Sequence, residues 1–376
     1  MLTNHTMVGC QIVRKYGSQR PAATDSSRVV PAGARYVLTR WNVGVRSTTP
    51  RLGRGAVALS VVMGLVGALA PGAVSAQSSV ESYDLGEVTI VQADQAMDSR
   101  FREMPVSVRG VLAVPEGDGP FPVALVIHGS YPFCTAPNPL DDEVDIYPCP
   151  PQGDLRQYEG FTYLAEALAE RGYIALIPDL SAEFNNGFGF APFAERATQI
   201  IEAHLDAITV GDGFEADVVG KADLSRLVLA GHSRGGPLAV RYIRDKDLAT
   251  RTVSALALLT PAFLEARPKI PGGMPTALVI AECDGDVGTE GPLQYREKQL
   301  KPLRKTLTTY YTIPGGTHNG FSTQLGADPS SPCKDEKLLA PDDQQDFLAA
   351  FLPDYYDLAL AIGRLPVAEA SADRTD

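Results

Sequence analysis

Basic residues are scarce in most of this chain of 376 residues, which carries 33 Lys and Arg against 45 Asp and Glu. Nine of the basic residues and one acid fall within the first 76 positions, so the remainder has a formal charge of −20. A surface with this charge repels the phosphates of nucleic acids and the headgroups of anionic membranes. We therefore expect neither nucleic acid nor a stably penetrated membrane among its partners.

Cysteine is also rare, with five residues, one of which is Cys10 near the N-terminus. The spacings of the other four fit no zinc-ligand pattern, and an even number in an exported chain is typical of disulfides. Three pairings are open, and one of them joins Cys134 to Cys149 and Cys283 to Cys333. Free thiols remain the alternative to two disulfides.

The first 76 residues differ from the rest of the chain and predict an export signal. Eight arginines and Lys15 face only Asp25 there, and a run of small and apolar residues follows over 55–70. The small residues of Val74-Ser75-Ala76 then suit signal peptidase. We expect cleavage after Ala76 and a secreted or periplasmic protein, with an uncleaved anchor as the alternative. The length of this leader suggests an overextended gene start before the signal.

Beyond the leader, buried strands alternate with helices. Partly alternating runs at 88–91 and 106–114 predict early antiparallel strands, and a last strand is expected over 306–313. Continuous apolar runs, typical of strands buried on both faces, lie at 122–127, 173–177, 227–230, 255–259 and 277–280. Helices are predicted over 161–168, 195–210, 237–242, 293–303 and 344–352.

This alternation predicts an α/β fold with a mostly parallel central sheet and helices on both faces. A hydrophobic content of 44% is ample for the core of such a domain. We assign it to residues 77–365 and expect a disordered tail over 366–376, where the sequence is small and acidic.

The segment Gly231-His232-Ser233-Arg234-Gly235 follows one of the buried strands and precedes a predicted helix. A Gly-x-Ser-x-Gly in this position is the sequence form of a nucleophile elbow. The turn is so tight that only small residues fit two places before and after the serine, and it holds the hydroxyl clear of the backbone. We predict that Ser233 is a nucleophile, with an incidental serine in a Gly-rich turn as the alternative.

A serine nucleophile needs a base, and only five histidines are available. His5 lies in the leader, His204 in a predicted helix, His232 within the elbow and His128 at the end of a buried strand. His318 lies in a Gly-rich loop after the last predicted strand, where such a base belongs. We predict that His318 accepts the serine proton. An ordinary surface histidine is the alternative.

The base in turn needs an acid that fixes its tautomer. Asp284 and Asp286 both follow the strand predicted over 277–280. The chain order Ser, Asp, His is the order expected for α/β-hydrolases.

Acyl transfer also needs amide donors for the developing oxyanion. These backbone donors are predicted at Arg234 and at Ser130 or Tyr131.

From about residue 106 to residue 352 the chain resembles the secreted branch of the α/β-hydrolase superfamily, nearest to dienelactone-hydrolase-like and polyester-hydrolase-like esterases of bacteria. The matching segments are 126–129, 231–236, 281–287 and 316–318. In that family the acid stands three residues before a valine, which favours Asp284 over Asp286. Polyester hydrolases usually carry Met where Arg234 stands and a tryptophan in the cleft, whereas the single tryptophan here is Trp41. These departures lower the expectation of activity on polyesters.

The resemblance implies cofactor-free ester hydrolysis through an acyl-enzyme. We expect a secreted serine hydrolase acting on carboxylic esters, with a small-molecule or lipid-like ester as its partner. A serine peptidase or amidase would use the same triad, and a non-catalytic binding protein on this scaffold is a further alternative. No metal site is predicted, although calcium on the acidic run 141–145 stays an alternative to a solvated loop. The oligomeric state is left open.

Overall fold

The structure, a computed structural model, describes residues 78–91, 103–135, 147–149, 151–184, 195–245, 249–262, 269–300 and 306–363. The predicted leader, the acidic run 141–145 and the predicted disordered tail all lie outside the described residues.

One eight-stranded sheet organises the described residues, and its strands lie in the order β1-β2-β4-β3-β5-β6-β7-β8. Pairing is antiparallel from β1 to β2 and from β2 to β4, and parallel between all other neighbours. The predicted mostly parallel sheet with early antiparallel strands is thereby confirmed. The strands are β1 (Ser79–Val91), β2 (Glu103–Val114), β3 (Phe121–Ile127), β4 (Ile174–Pro178), β5 (Ala222–His232), β6 (Val253–Leu259), β7 (Thr276–Ala281) and β8 (Thr308–Ile313).

Helices cover both faces of the sheet, as predicted, because successive side chains of each buried strand point to opposite sides. Leu227 and Leu229 of β5 belong to the core that includes α2 and α3, whereas Val228 and Ala230 belong to the core that includes α1 and α5. The helices are α1 (Thr162–Glu170), α2 (Glu195–Val210), α3 (Gly235–Arg244), α4 (Glu290–Tyr295) and α5 (Pro341–Gly363).

Several elements differ from the sequence prediction in length, among them the first strand, the last helix and the helix after β7. The first strand begins at Ser79 rather than at residue 88, since pairing with β2 starts at the register Ser79 with Val114. Most of its side chains remain at least partly exposed, so no apolar run signals its start. The last helix continues through Pro353 because the buried Tyr356 and Ala359 still pack on the core beyond the proline. The helix predicted over 293–303 instead ends at Tyr295 and continues as a π-helical turn to Leu300.

Two disulfides join Cys134 to Cys149 and Cys283 to Cys333, the pairing considered from the sequence. The first closes a short loop after β3, and the second links the loop after β7 to the segment after β8. Within the described part of the chain, no helix combines the length and apolar character needed to cross a membrane.

Candidate active site

The serine of the predicted elbow stands at a sharp turn between β5 and α3. Its φ is +53°, in the left-handed region that L-residues seldom adopt. A Cβ on Gly231 would lie 2.4 Å from the carbonyl oxygen of Gly235, and a Cβ on Gly235 would lie 2.4 Å from that of Ile127. The turn thus requires glycine two places before and two places after Ser233.

Backbone hydrogen bonds hold this strained turn in place. The Ser233 N–H donates to the carbonyl of Leu259 at 3.1 Å, and the Ser233 carbonyl accepts from Gly236 at 3.1 Å and from Ala262 at 2.9 Å. These bonds tie the elbow to the end of β6, so the surrounding sheet supports the strain.

Close beside the elbow, His318 follows β8 and binds Asp284, which follows β7. The distance from His318 Nδ1 to Asp284 Oδ2 is 2.8 Å, and both side chains are at most 1% exposed. The His318 ring also packs against the ring of His232, the residue before Ser233, with centroids 4.7 Å apart. His318 Nε2 is buried and has no hydrogen bond within the described residues, including any from Ser233.

The carboxylate of Asp284 accepts hydrogen bonds from several groups besides His318. Its Oδ1 accepts hydrogen bonds from the backbone N–H groups of Asp286, Val287 and Gly288, at 2.9, 2.9 and 3.2 Å. Its Oδ2 also accepts one from the hydroxyl of Thr260. Burial by itself would raise the pKa of Asp284, but the bond and charge of His318, with the other donors, outweigh it and leave that pKa below its usual value. The carboxyl is therefore ionised at neutral pH.

Asp286, the other acid considered from the sequence, occupies a different position. Its side chain is 64% exposed, and its Oδ2 lies 3.2 Å from Nε2 of His318, on the opposite side of the ring from Asp284. The structure therefore brings both carboxylates to the histidine, with only Asp284 buried on the Nδ1 side.

A cleft of about 540 Å³ opens above Ser233. This volume is ordinary for a small-molecule site. Nine described residues line it, none of them aromatic, and most are small or polar. The polar lining residues are Ser130, Ser233, Arg234, Asp286, Glu290 and Gln294.

The loop after β3, where an oxyanion donor is predicted, passes directly over the serine. A Cβ on Gly129 would lie 2.7 Å from the Cβ of Ser233. Ser130 lines the cleft, and its hydroxyl accepts a weak hydrogen bond from the Arg234 guanidinium at 3.4 Å. The Tyr131 hydroxyl instead binds Nδ1 of His232. No acceptor among the described residues binds the backbone N–H of Ser130, Tyr131 or Arg234.

A buried histidine fixes the start of this loop. His128 Nδ1 donates to the carbonyl of Gly129 at 2.7 Å, and its Nε2 accepts from the backbone N–H of Leu180 at 2.8 Å. Burial lowers the pKa of His128, despite the nearby Asp179, so the ring is neutral. A neutral ring with Nδ1 protonated satisfies both bonds. His128 thus connects the ends of β3 and β4 rather than facing the serine.

An ion-pair network also holds the loop after β3. Arg109 of β2 donates to Asp179 after β4 at 2.8 Å and also binds Asp154. Burial would raise the pKa of Asp179, but the charge of Arg109 and the bonds from Ser181 outweigh it and lower that pKa. Asp154 pairs with Cys134 in an isolated β-bridge, so the network reaches the disulfide-closed loop.

The loop that carries His318 is fixed by α5 and by the acid loop. Gln344, which is fully buried, accepts from the Thr317 N–H and donates to the Thr317 carbonyl, both at 2.9 Å. The Cys283 N–H donates to the Gly316 carbonyl at 2.7 Å. Histidine and acid are thus held relative to each other by main-chain bonds.

Within the described ranges, no group of three or more His, Cys, Asp or Glu side chains could hold a metal ion. The residues that come together, a hydroxyl, an imidazole and carboxylates, suit proton transfer and nucleophilic attack.

Comparison with known proteins supplies no match to a protein-family model and none to a curated protein sequence. Among solved structures, the chain is similar to a putative dienelactone hydrolase from Klebsiella pneumoniae, with 15% identity, a TM-score of 0.41, and coverage of 72% of this chain and 98% of that one. It is also similar to an esterase from Rhizomucor miehei, with 13% identity, a TM-score of 0.44, and coverage of 74% and 85%. A third likeness is to an α/β hydrolase from a Medee basin deep-sea metagenome library, with 16% identity, a TM-score of 0.42, and coverage of 73% and 99%.

The sheet and the placement of the elbow after β5 decide the architecture. This chain has an α/β-hydrolase fold. The residues singled out in the sequence stand at the carboxyl ends of its parallel strands, where ligands bind in open α/β sheets.

Sequence reasoning missed Thr260, whose hydroxyl binds Asp284. Thr260 also has a positive φ of 38°. No motif marks it. Its position directly after β6, at the same edge of the sheet as the acid and the serine, is the signal that could have found it.

Proposed function

We propose that this protein is a serine hydrolase that cleaves carboxylic esters, with Ser233 as nucleophile, His318 as general base and Asp284 as the acid. The state of the His318 ring carries the proposal. Its Nδ1 is bound to a buried, ionised carboxylate, while its Nε2 has no hydrogen bond among the described residues. An imidazole held in this way keeps Nε2 available to accept a proton.

In the proposed reaction, Ser233 Oγ attacks the ester carbonyl carbon as its proton passes to Nε2 of His318. The carbonyl oxygen becomes an oxyanion, and Asp284 stabilises the imidazolium. Collapse of the tetrahedral intermediate breaks the bond to the alcohol, which takes the proton from Nε2. Water then repeats the sequence on the acyl-enzyme and releases the carboxylic acid.

For the oxyanion we propose the backbone N–H groups of Arg234 and Ser130 as donors. Both residues line the cleft beside Ser233, and neither N–H has an acceptor among the described residues. Tyr131 is the less suitable residue because it does not line the cleft within the described set. Each such donor commonly contributes roughly 10²–10³-fold to the rate.

The lining of the cleft favours esters with short or polar acyl groups. A long acyl chain gains about 0.8 kcal/mol for each methylene that it buries against apolar walls. The described lining offers only Ala262, Val287 and Gly291 as non-polar residues, and no aromatic ring. We therefore expect activity to fall with chain length across p-nitrophenyl acetate, butyrate and laurate.

The test is fluorophosphonate labelling of the protein without its leader, with the modified residue mapped by mass spectrometry. Labelling confined to Ser233, abolished in Ser233→Ala and reduced in His318→Ala, is the expected result. Ser233→Ala should melt at nearly the wild-type temperature, because it removes only a hydroxyl. His318→Ala leaves the buried Asp284 carboxylate without its imidazole partner and should melt at a lower temperature, so its labelling is measured well below that temperature. A folded wild-type protein that takes no label and hydrolyses no ester would overturn the proposal.

The same triad serves peptide and amide hydrolysis, so matched substrates must separate the activities. We expect p-nitrophenyl acetate to be cleaved and p-nitroacetanilide, its amide counterpart, to be cleaved far more slowly. Comparable rates on both would assign the enzyme to the peptidases and amidases instead. Binding of either substrate without turnover would indicate a non-catalytic protein on this fold.

Export is also part of the proposal. Two disulfides form and persist in oxidising compartments, and the leader has the order of a secretory signal. Cell fractionation followed by N-terminal sequencing should recover the protein outside the cytosol with Gln77 as its first residue. A cytosolic chain that retains its leader would contradict this assignment.

A further inference from the structure

The turn after β7 presents two carboxylates to His318, and only one of them belongs to the proposed triad. Asp284 binds Nδ1, while Asp286 Oδ2 lies 3.2 Å from Nε2. The two acids share one turn, because the Asp286 N–H donates to Asp284 Oδ1 at 2.9 Å. Their side chains nevertheless differ in surroundings, since Asp284 is fully buried and Asp286 is 64% exposed in the cleft.

The Asp286 carboxylate does not occupy the hydrogen-bonding direction of Nε2. It is near enough for an ion pair, yet Nε2 makes no hydrogen bond within the described residues. A carboxylate beside the ring attracts the positive charge of an imidazolium without blocking the lone pair that must face Ser233. Among the described residues, His318 is the sole basic side chain within ion-pair distance of Asp286.

We propose that Asp286 is a second positioning carboxylate for His318, which stabilises the imidazolium formed in each proton transfer; this inference rests on the proposed function. When Ser233 Oγ bonds to the ester carbon, its proton moves to Nε2, and one positive and one negative charge appear. Asp284 faces that positive charge from Nδ1 and Asp286 from the Nε2 side. The leaving alcohol then removes the proton, and attack by water recreates the same charges.

The reaction steps and the exposure of Asp286 together determine which rates should be measured. Acylation and deacylation both pass through the imidazolium, so kcat falls whichever step is slower. Because Asp286 is exposed, dissolved salt screens its charge, whereas the buried Asp284 is screened much less. Asp286 also repels the oxyanion, so the observed effect is the net of attraction and repulsion.

The experiment compares Asp286→Asn and Asp286→Glu with wild type on p-nitrophenyl acetate, a neutral ester. Rates are measured at a low ionic strength of about 0.1 M, where the Debye length is about 10 Å, and in 1 M NaCl, where it is about 3 Å. We expect Asp286→Asn to lower kcat roughly three- to thirtyfold at low salt, with KM within about twofold of wild type. The deficit should shrink in 1 M NaCl as the wild-type rate falls. Asp286→Glu should recover part of the rate because it restores the charge.

Asp335→Asn is the matched control, since it removes one negative charge from an exposed turn. It should leave kcat, KM and their salt dependence unchanged. Wild-type kcat in Asp286→Asn, a change in KM alone, or a higher kcat would each overturn the inference while fluorophosphonate still labels Ser233. Absence of both labelling and hydrolysis in wild type would instead refute the proposed function and this inference with it.

Discussion

The imidazole of His232 lies against that of His318, with 4.7 Å between their ring centroids. Burial, followed by the charge of His318, lowers the pKa of His232 well below its usual value, so the ring is neutral. Burial also raises the pKa of Tyr131 well above its usual value, so its hydroxyl stays protonated and donates to Nδ1 of His232. His318 is thus backed by an uncharged ring that does not oppose a positive charge on it.

The bond between Tyr131 and His232 should contribute measurably to stability. Tyr131→Phe removes the hydroxyl and leaves Nδ1 of His232 buried without a donor, which costs about 1–3 kcal/mol of the free energy of unfolding. Adding His232→Phe removes the orphaned acceptor and keeps an aromatic ring against Phe161 and Phe321. Urea unfolding of both single variants and the double variant should show a loss smaller than the sum. Strict additivity would contradict a bond between the two side chains.

Asp284→Asn should abolish most activity while keeping the fold. The amide oxygen can still accept from the backbone N–H groups of 286–288, but its NH₂ then faces Nδ1 of His318 and the hydroxyl of Thr260. An amide donor at Nδ1 favours the tautomer with the proton on Nε2, which cannot accept one from Ser233. We expect kcat to fall roughly 10³- to 10⁴-fold. A variant that retains a tenth of wild-type kcat, with an unchanged melting temperature, would show that Asp284 is not the acid.

The packing of the elbow predicts a sharp contrast between two glycines. In Gly235→Ala the new methyl group would lie 2.4 Å from the Ile127 carbonyl and 2.5 Å from that of His128. Overpacking of this kind should lower the free energy of unfolding by about 3 kcal/mol and remove ester hydrolysis. Gly272→Ala is the control, because a Cβ there meets nothing within 4 Å, and its stability should stay within about 1 kcal/mol. Equal stabilities in urea would contradict the tight elbow.

Much of the fold could be predicted because buried parallel strands leave a strong mark in sequence. The runs at 227–230 and 255–259 are continuous and apolar, and both lie in the buried C-terminal parts of strands in the sheet. The start of β1 could not be predicted, since only a few of its side chains are buried and its pairing with β2 decides its length.

The residues of the candidate site also divide into those that the sequence could predict and those that it could not. Ser233 could be predicted because the tight turn around it requires the glycines of its motif. His318 could be predicted by elimination, because the chain has only five histidines. The sequence could not distinguish the positions of Asp284 and Asp286, because both follow the same strand and only the turn geometry sends one to each side of the ring. The contact of Tyr131 with His232 depends on the path of a loop between distant segments, which no local pattern encodes.

The buried His204 should make stability depend on pH. Burial lowers its pKa to about 4, although Asp179 opposes the shift, while an unfolded histidine titrates near 6.5. Below pH 6.5 the unfolded state binds a proton that the folded state does not, so this contribution is complete above pH 6.5 and is lost as pH falls toward 4. The loss amounts to about 3 kcal/mol in all.

His204→Asn removes this titration and keeps an acceptor for the Tyr83 hydroxyl, which lies 2.6 Å from Nδ1 in the native structure. Urea unfolding at pH 7.5, 5.5 and 4.5 should show a smaller loss of stability in the variant than in wild type. Some loss should persist, because burial also lowers the pKa of His128 and His232. The same pH dependence in both proteins would mean that His204 is not buried as a neutral ring.

The two disulfides should differ in their effect on catalysis. Cys283 and Cys333 are 50 residues apart, and their bond closes a loop worth about 4 kcal/mol in chain entropy, against about 3 kcal/mol for the 15-residue separation of Cys134 and Cys149. Cys283 also precedes Asp284, so removing its bond frees the turn that holds the acid.

We therefore expect the double variant Cys283→Ala with Cys333→Ala to lose stability and to lower kcat roughly tenfold, since misplacement of a catalytic group by a fraction of an ångström is costly. The double variant Cys134→Ala with Cys149→Ala should lose a similar free energy of unfolding while kcat stays within about twofold. Guanidinium unfolding and p-nitrophenyl acetate kinetics on the same samples separate the two effects. A kcat within about twofold of wild type in the variant that lacks Cys283 and Cys333 would show that this bond acts on stability alone. The acid turn would then be held well enough by Asp328 at Gly285 and by Ser331 at the Cys283 carbonyl.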